Sequence, residues 1–160
     1  MLSIQKKYFT KDKIKGDNMI TDCRKKHIWA VAQLMLEYGK QRGKSKQDCE
    51  ALYTLGLLHD IGYAFLEEKE YKTHNIVGGN LLKQQGYQYW QEVYYHGVVN
   101  SPYQSEFLDL LNVADMHVDS EGNYVTFQER LQDISTRQNM PVEQLDGYQI
   151  VCELIKKGFN

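Results

Sequence analysis

From Ile20 to Tyr38 apolar or imidazole side chains recur at Ile20, Cys23, His27, Val31, Leu34 and Tyr38, the three-to-four spacing that turns one helix face towards a core. Gly39 or Gly43 stops that helix. Ser45-x-x-Asp48 is a capping arrangement for a second helix, with Cys49, Leu52, Gly56 and His59 on its apolar face and its end near Gly62. Residues 61–73 read as a loop. Thr73 then caps a third helix through Ile76, Val77, Leu81 and Leu82 to Gly86, which puts His74 in its first turn. A short helix follows around Trp90 to His96. Ser101-Pro102-Tyr103-Gln104 has the form of a capping box with proline at the first helical position, and it sets Leu108, Leu111 and Asp115 on one face. Thr126-x-x-Glu129 repeats the device before Phe127, Leu131 and Ile134, and a last amphipathic helix runs from Pro141 to Gly158. Alternation never lasts long enough for a sheet, although residues 119–127 with Glu121-Gly122-Asn123 predict a short hairpin. The pattern predicts an all-α fold.

Length changes this picture little: 160 residues suit one domain, expected over residues 19–160 after a basic extension at residues 1–18. Charge is uneven, because residues 1–26 hold eight Lys and Arg against three Asp, while the whole chain is at −2. A solvated lysine-rich tail accounts for that asymmetry, and no reading motif with interleaved aromatics points to nucleic acid. Cys23, Cys49 and Cys152 are odd in number and form no C-x-x-C pair, so a disulfide framework or zinc knuckle is not suggested. With no apolar window long enough for a membrane span, a cytoplasmic protein is expected.

Four of the five histidines fall on or beside buried helix faces, where imidazole requires a polar partner or a metal. Any one of them could be a core histidine bonded to a carbonyl. GLLHDIG adds a carboxylate next to an imidazole at a helix end, where consecutive side chains can converge on one ion. No P-loop, G-x-G-x-x-G or G-x-S-x-G is present, which disfavours nucleotide-driven transfer, hydride chemistry and a covalent serine route. Cys23, one turn before His27, reads as a small packed residue. His117 lies about 200° round the helix from Asp115 and reads as a surface or capping histidine.

The order His27, His59-Asp60, then Asp115 in LLNVADMHVD, on successive helices, resembles the HD-domain superfamily of metal-dependent phosphohydrolases over residues 20–137. His74 in KTHNIVGGNLLKQQG and His96 in VYYHGVV stand where binuclear members of that superfamily carry two further ligands. The resemblance implies a phosphodiesterase-like helical bundle in which His27, His59, Asp60 and Asp115 hold one divalent ion and Asp60 bridges to a second held by His74 and His96. Such a shell suits Fe, Mn, Co, Ni or Zn. His59 and Asp60 are then the catalytic pair. The implied reaction is hydrolysis of a nucleotide or another small phosphate ester by metal-activated hydroxide. Two alternatives use the same fold: a di-iron oxygenase with the same six ligands, and a non-catalytic metal- or nucleotide-binding module. Gly62-Tyr63 is followed by Ala64, so the Gly-Tyr-Pro element of the cyclic-dinucleotide branch is absent. Lys26, Lys69, Lys72 and Arg130 are candidate contacts for substrate phosphate, and Tyr63 and Tyr71 flank the expected site.

Overall fold

A computed structural model describes residues 20–160; the expected extension at residues 1–18 lies outside them. Among the described residues seven α-helices follow one another: α1 Asp22–Gln41, α2 Lys46–Leu58, α3 His74–Gln84, α4 Trp90–Tyr95, α5 Glu106–Asp115, α6 Phe127–Gln138 and α7 Asp146–Lys156. Among the described residues strand pairing is confined to one antiparallel bridge, Val118 with Tyr124. The class is all-α, as the pattern predicts.

α1 starts where Thr21 accepts a bond from the Arg24 amide, and it lies along α2. Its buried face is His27, Ile28, Val31, Ala32, Met35 and Gly39, rotated from the expected one, so Cys23 is exposed with its thiol on Glu121 at 3.3 Å. Close approach sets the rotation. A Cβ on Gly56 of α2 would stand 2.5 Å from the Ala32 Cα, so the helices touch backbone to backbone and carry His27 and His59 towards each other. Leu52, Leu55 and Leu58 of α2 join Val31 and Met35, with Leu110 and Leu111 of α5, in the main core. Full burial of each leucine contributes about 1.5–3 kcal/mol. A second core forms where Val113 and Met116 meet Leu131, Ile150 and Leu154.

Four local readings need correction. Residues 61–73 are not a loop but two 3-10 helices, Ile61–Phe65 and Glu68–Thr73, the second closed by a Glu67/Glu70 capping box. Consequently Thr73 does not cap α3; its hydroxyl donates to the Glu70 carbonyl. The helix predicted from Ser101 starts at Glu106 instead. Ser101 closes a turn with Tyr103, accepting from its amide and donating to its carbonyl, while Ser105 accepts from the Leu108 amide and donates to the buried Glu92 carboxylate. The Thr126/Glu129 box forms with both halves. Pro141 precedes a 3-10 turn, Val142–Gln144, and not α7 itself.

The expected hairpin shrinks to the single bridge and a turn in which Asp119 accepts from the Glu121 and Asn123 amides. His117 is half-buried: it is stacked on Phe127 and its two ring nitrogens reach the Val125 and Asn160 carbonyls at 2.7 and 2.8 Å.

Candidate metal centre

α1 brings His27, the end of α2 brings His59 and Asp60, the start of α3 brings His74, the residue after α4 is His96, and α5 ends on Asp115. All six meet. His27 and His59 are wholly buried, Asp60 and His96 nearly so.

Each imidazole is held in the same way. His59 Nδ1 donates to the Gly56 carbonyl at 2.7 Å, His74 to Tyr71 at 2.8 Å and His96 to Val93 at 2.6 Å, always three residues back. His27 Nδ1 donates across the fold to the Asp119 carbonyl at 2.9 Å. A carbonyl can only accept, so each Nδ1 carries a proton, and in the neutral ring the lone pair falls on Nε2, the tautomer a metal ligand requires. All four Nε2 atoms face inwards.

Asp60 divides the cluster. Its Oδ2 lies 3.8 Å from His27 Nε2 and 3.4 Å from His59 Nε2, whereas its Oδ1 lies 3.4 Å from His74 Nε2 and 3.6 Å from His96 Nε2. Asp115 Oδ1 joins the first side, 3.0 Å from His27 and 3.9 Å from His59. Donor atoms of His27, His59 and Asp115, and again of His59, Asp60 and His96, come within 4.8 Å of one another.

Two contacts test whether cations fit. His59 Nε2 is buried with no hydrogen-bond partner among the described residues, a cost of about 1–3 kcal/mol unless something accepts its lone pair. His74 and His96 Nε2 stand 3.1 Å apart, and with both Nδ1 atoms protonated neither has a proton to give the other. A divalent ion on either side would satisfy these lone pairs.

Burial raises the Asp60 carboxyl, but His59 and Arg24 outweigh it and hold the group well below the usual carboxylate range. Asp115 is likewise lowered, the penalty of burial being overcome by His27 and His59. Burial brings His74 down to about 4. Burial pulls His59 down too, yet the adjacent Asp60 carboxylate leaves it raised. The centre is therefore built for anionic carboxylates beside positive charge.

Arg24 escaped the sequence reading. Its Nη1 donates to Asp60 Oδ2 at 2.9 Å and its guanidinium lies 4.0 Å over the Tyr63 ring, on which His74 is also stacked at 4.3 Å. The signal was its place one turn before His27. Tyr63 and Tyr71 pack edge to face behind His74, outside the cleft. Lys26 and Lys69 are instead exposed, drawn to Glu121 and Glu67 by nearer countercharges. Arg130 is buried on α6, where its Nη1 pairs with Asp133 at 3.1 Å. Lys72 lines a cleft of about 710 Å³ whose inner end is formed by His74, His96 and Asp115; Lys26, Lys69 and Arg130 do not line it.

A family model described as HD domain matches residues 24–155. Comparison with curated proteins and with solved structures gives no significant match.

Proposed function

The chain belongs to the HD-domain superfamily of metal-dependent phosphohydrolases, and on that premise we propose that it hydrolyses a nucleotide or another small phosphate ester at two divalent transition-metal sites in the cytoplasm. His27, His59, Asp60 and Asp115 would hold one ion, and His74 and His96, with the other oxygen of Asp60, the second. The observation that carries this reading is the division of Asp60, with one oxygen towards each group of inward-facing Nε2 atoms.

Bound there, divalent ions supply an acidified water, a hold on phosphoryl oxygens and compensation for developing negative charge. The chain does the rest. Asp60 is kept ionised by His59 and Arg24, and the four imidazoles are each anchored through Nδ1 on a carbonyl. The Arg24–Tyr63–His74 stack fixes the His74 ring from behind. Lys72 places one positive charge in the open cleft beside His74, where it can meet a phosphate oxygen.

The test is phosphate release from a panel of esters by the full chain reconstituted with Mn, Fe, Co, Ni or Zn, under air and without oxygen. Turnover in both atmospheres is expected, and Asp60→Asn should reduce it by ~10²–10³-fold or more. Turnover only with oxygen would identify an oxygenase on the same ligands. Absence of any metal-dependent turnover would leave a binding module.

A further inference from the structure

The cleft that opens from His74, His96 and Asp115 is closed on its far side by α6, the Val142–Gln144 turn and the start of α7. Its volume of about 710 Å³ is that of a small-molecule site. Beyond the six ligand residues the charges along it are Lys72 and Asp146, which cancel. A polyphosphate carries several negative charges past the reacting phosphorus and is met elsewhere by clusters of cations; among the described residues no such cluster lines the cleft.

Its apolar side chains are aliphatic, set among the amides of Asn75, Asn112, Gln138 and Gln144. Ile76, Val99, Ile134, Met140, Leu145 and Ile150 supply them, and among the described residues no Phe, Tyr or Trp lines the cleft, although the chain has twelve tyrosines. A nucleobase is ordinarily held by an aromatic face or a guanidinium plane. Flexible Met140 and branched aliphatic side chains suit an alkyl body instead. Gln138 and Gln144, whose side chains make no hydrogen bond among the described residues, can meet hydroxyl groups on it.

We propose that the substrate of this site is the phosphomonoester of an uncharged aliphatic alcohol, its single phosphate at the ligand cluster and Lys72 and its carbon chain along the α6–α7 wall. This rests on the phosphohydrolase reading for the reaction: water adds to phosphorus, the ester P–O bond breaks, and the alcohol leaves with a proton beside inorganic phosphate. The recognition of the chain stands on the wall alone.

Two measurements on the manganese-loaded full chain separate the two layers. In the first, binding of n-alkylphosphonates from methyl to hexyl should tighten by about twofold per methylene, half of the fourfold expected for full burial because the cleft is open on one side. Ile134→Glu should bring the hexyl-to-methyl ratio down towards one. In the second, kcat/KM for hexyl phosphate should exceed that for a nucleoside monophosphate by about tenfold, with the triphosphate lower still, and the exposed change Gln144→Lys should narrow the gap to the triphosphate without threatening the fold. Chain-length dependence without hydrolysis of any ester would uphold the aliphatic site and sink the phosphohydrolase reading. Hydrolysis with no chain-length dependence, or with nucleoside polyphosphates preferred, would overturn the aliphatic site and leave the reaction standing.

Discussion

An imidazole anchored through Nδ1 has a single lone pair left to offer, and His59 and the His74/His96 pair have no proton to offer it to. Because His74 and His96 share only Asp60 Oδ1 while the other side has His27, His59, Asp115 and Oδ2, two ions should bind with unequal affinity. His74→Ala with His96→Ala should leave one equivalent by elemental analysis, a folded chain by circular dichroism, and turnover cut by orders of magnitude. One equivalent in both proteins with equal activity would reduce these residues to core histidines. Arg24 and Lys26 make the companion test. Arg24 touches Asp60 and Tyr63, so Arg24→Gln should lower kcat/KM by about 10–100-fold, the range for groups that orient metal ligands. Lys26 is exposed beside Glu121, and Lys26→Ala should stay within about twofold; equal effects would remove the positioning role of Arg24. The ligand candidates were legible through resemblance to the HD-domain order, His27, His59-Asp60 and Asp115 with His74 and His96 between, anchored by a His-Asp pair at a helix end. Arg24 was not, since an arginine near a charged helix start looks like any solvated cation until Tyr63 is folded over it.

Elements place these residues by backbone contact more than by side-chain packing. The helices themselves could be read from period and caps, as the full Thr126/Glu129 box shows. Their separations could not, because glycine leaves no mark of the neighbour it admits. Ala32 Cα lies 2.5 Å from the Cβ that Gly56→Ala would add, and backbone on both sides cannot give way. The substitution should cost about 3 kcal/mol and lower Tm by roughly 10 °C; a Tm within a degree or two of the parent would show that α1 and α2 can slide apart. Gly62 is a more selective probe. A Cβ there meets the His74 carbonyl oxygen, so Gly62→Ala should push the start of α3 outwards and lose the second ion while the first remains. Loss of both ions together would mean that the two sides are not separately supported. The 3-10 helices at residues 61–73 were missed for a related reason: they carry no amphipathic period, and what fixes them is the Glu67/Glu70 box and the seat of Gly62 on α3.

At the scale of the whole molecule, the cleft is assembled from segments as distant as Ile76, Ile134 and Leu145, which no local pattern connects, while the titrating groups of the centre tie metal loading to global stability. For the metal-free chain the signs oppose one another. His74 is lowered to about 4 from 6.5, so between those values the unfolded state binds more protons and stability falls as pH drops, by roughly 3 kcal/mol at most. Asp60 and Asp115 are lowered too, and their contribution, full above about pH 4, is lost at still lower pH. His59 is raised: its contribution is complete below 6.5 and disappears as pH rises through its folded value. The metal-free protein should therefore be most stable near pH 6–7 and weaken on both sides. Metal ions reverse the alkaline limb, because all four imidazoles must be neutral to bind them and the stabilisation follows RT ln(1 + [M]/Kd). Urea midpoints with and without manganese should diverge as pH rises from 6 to 8, reaching about 4 kcal/mol of stabilisation where the metal stands a thousandfold above its Kd. Curves that stay parallel over that range would mean that proton release does not accompany binding, and that the cation sits on the carboxylates without the imidazoles.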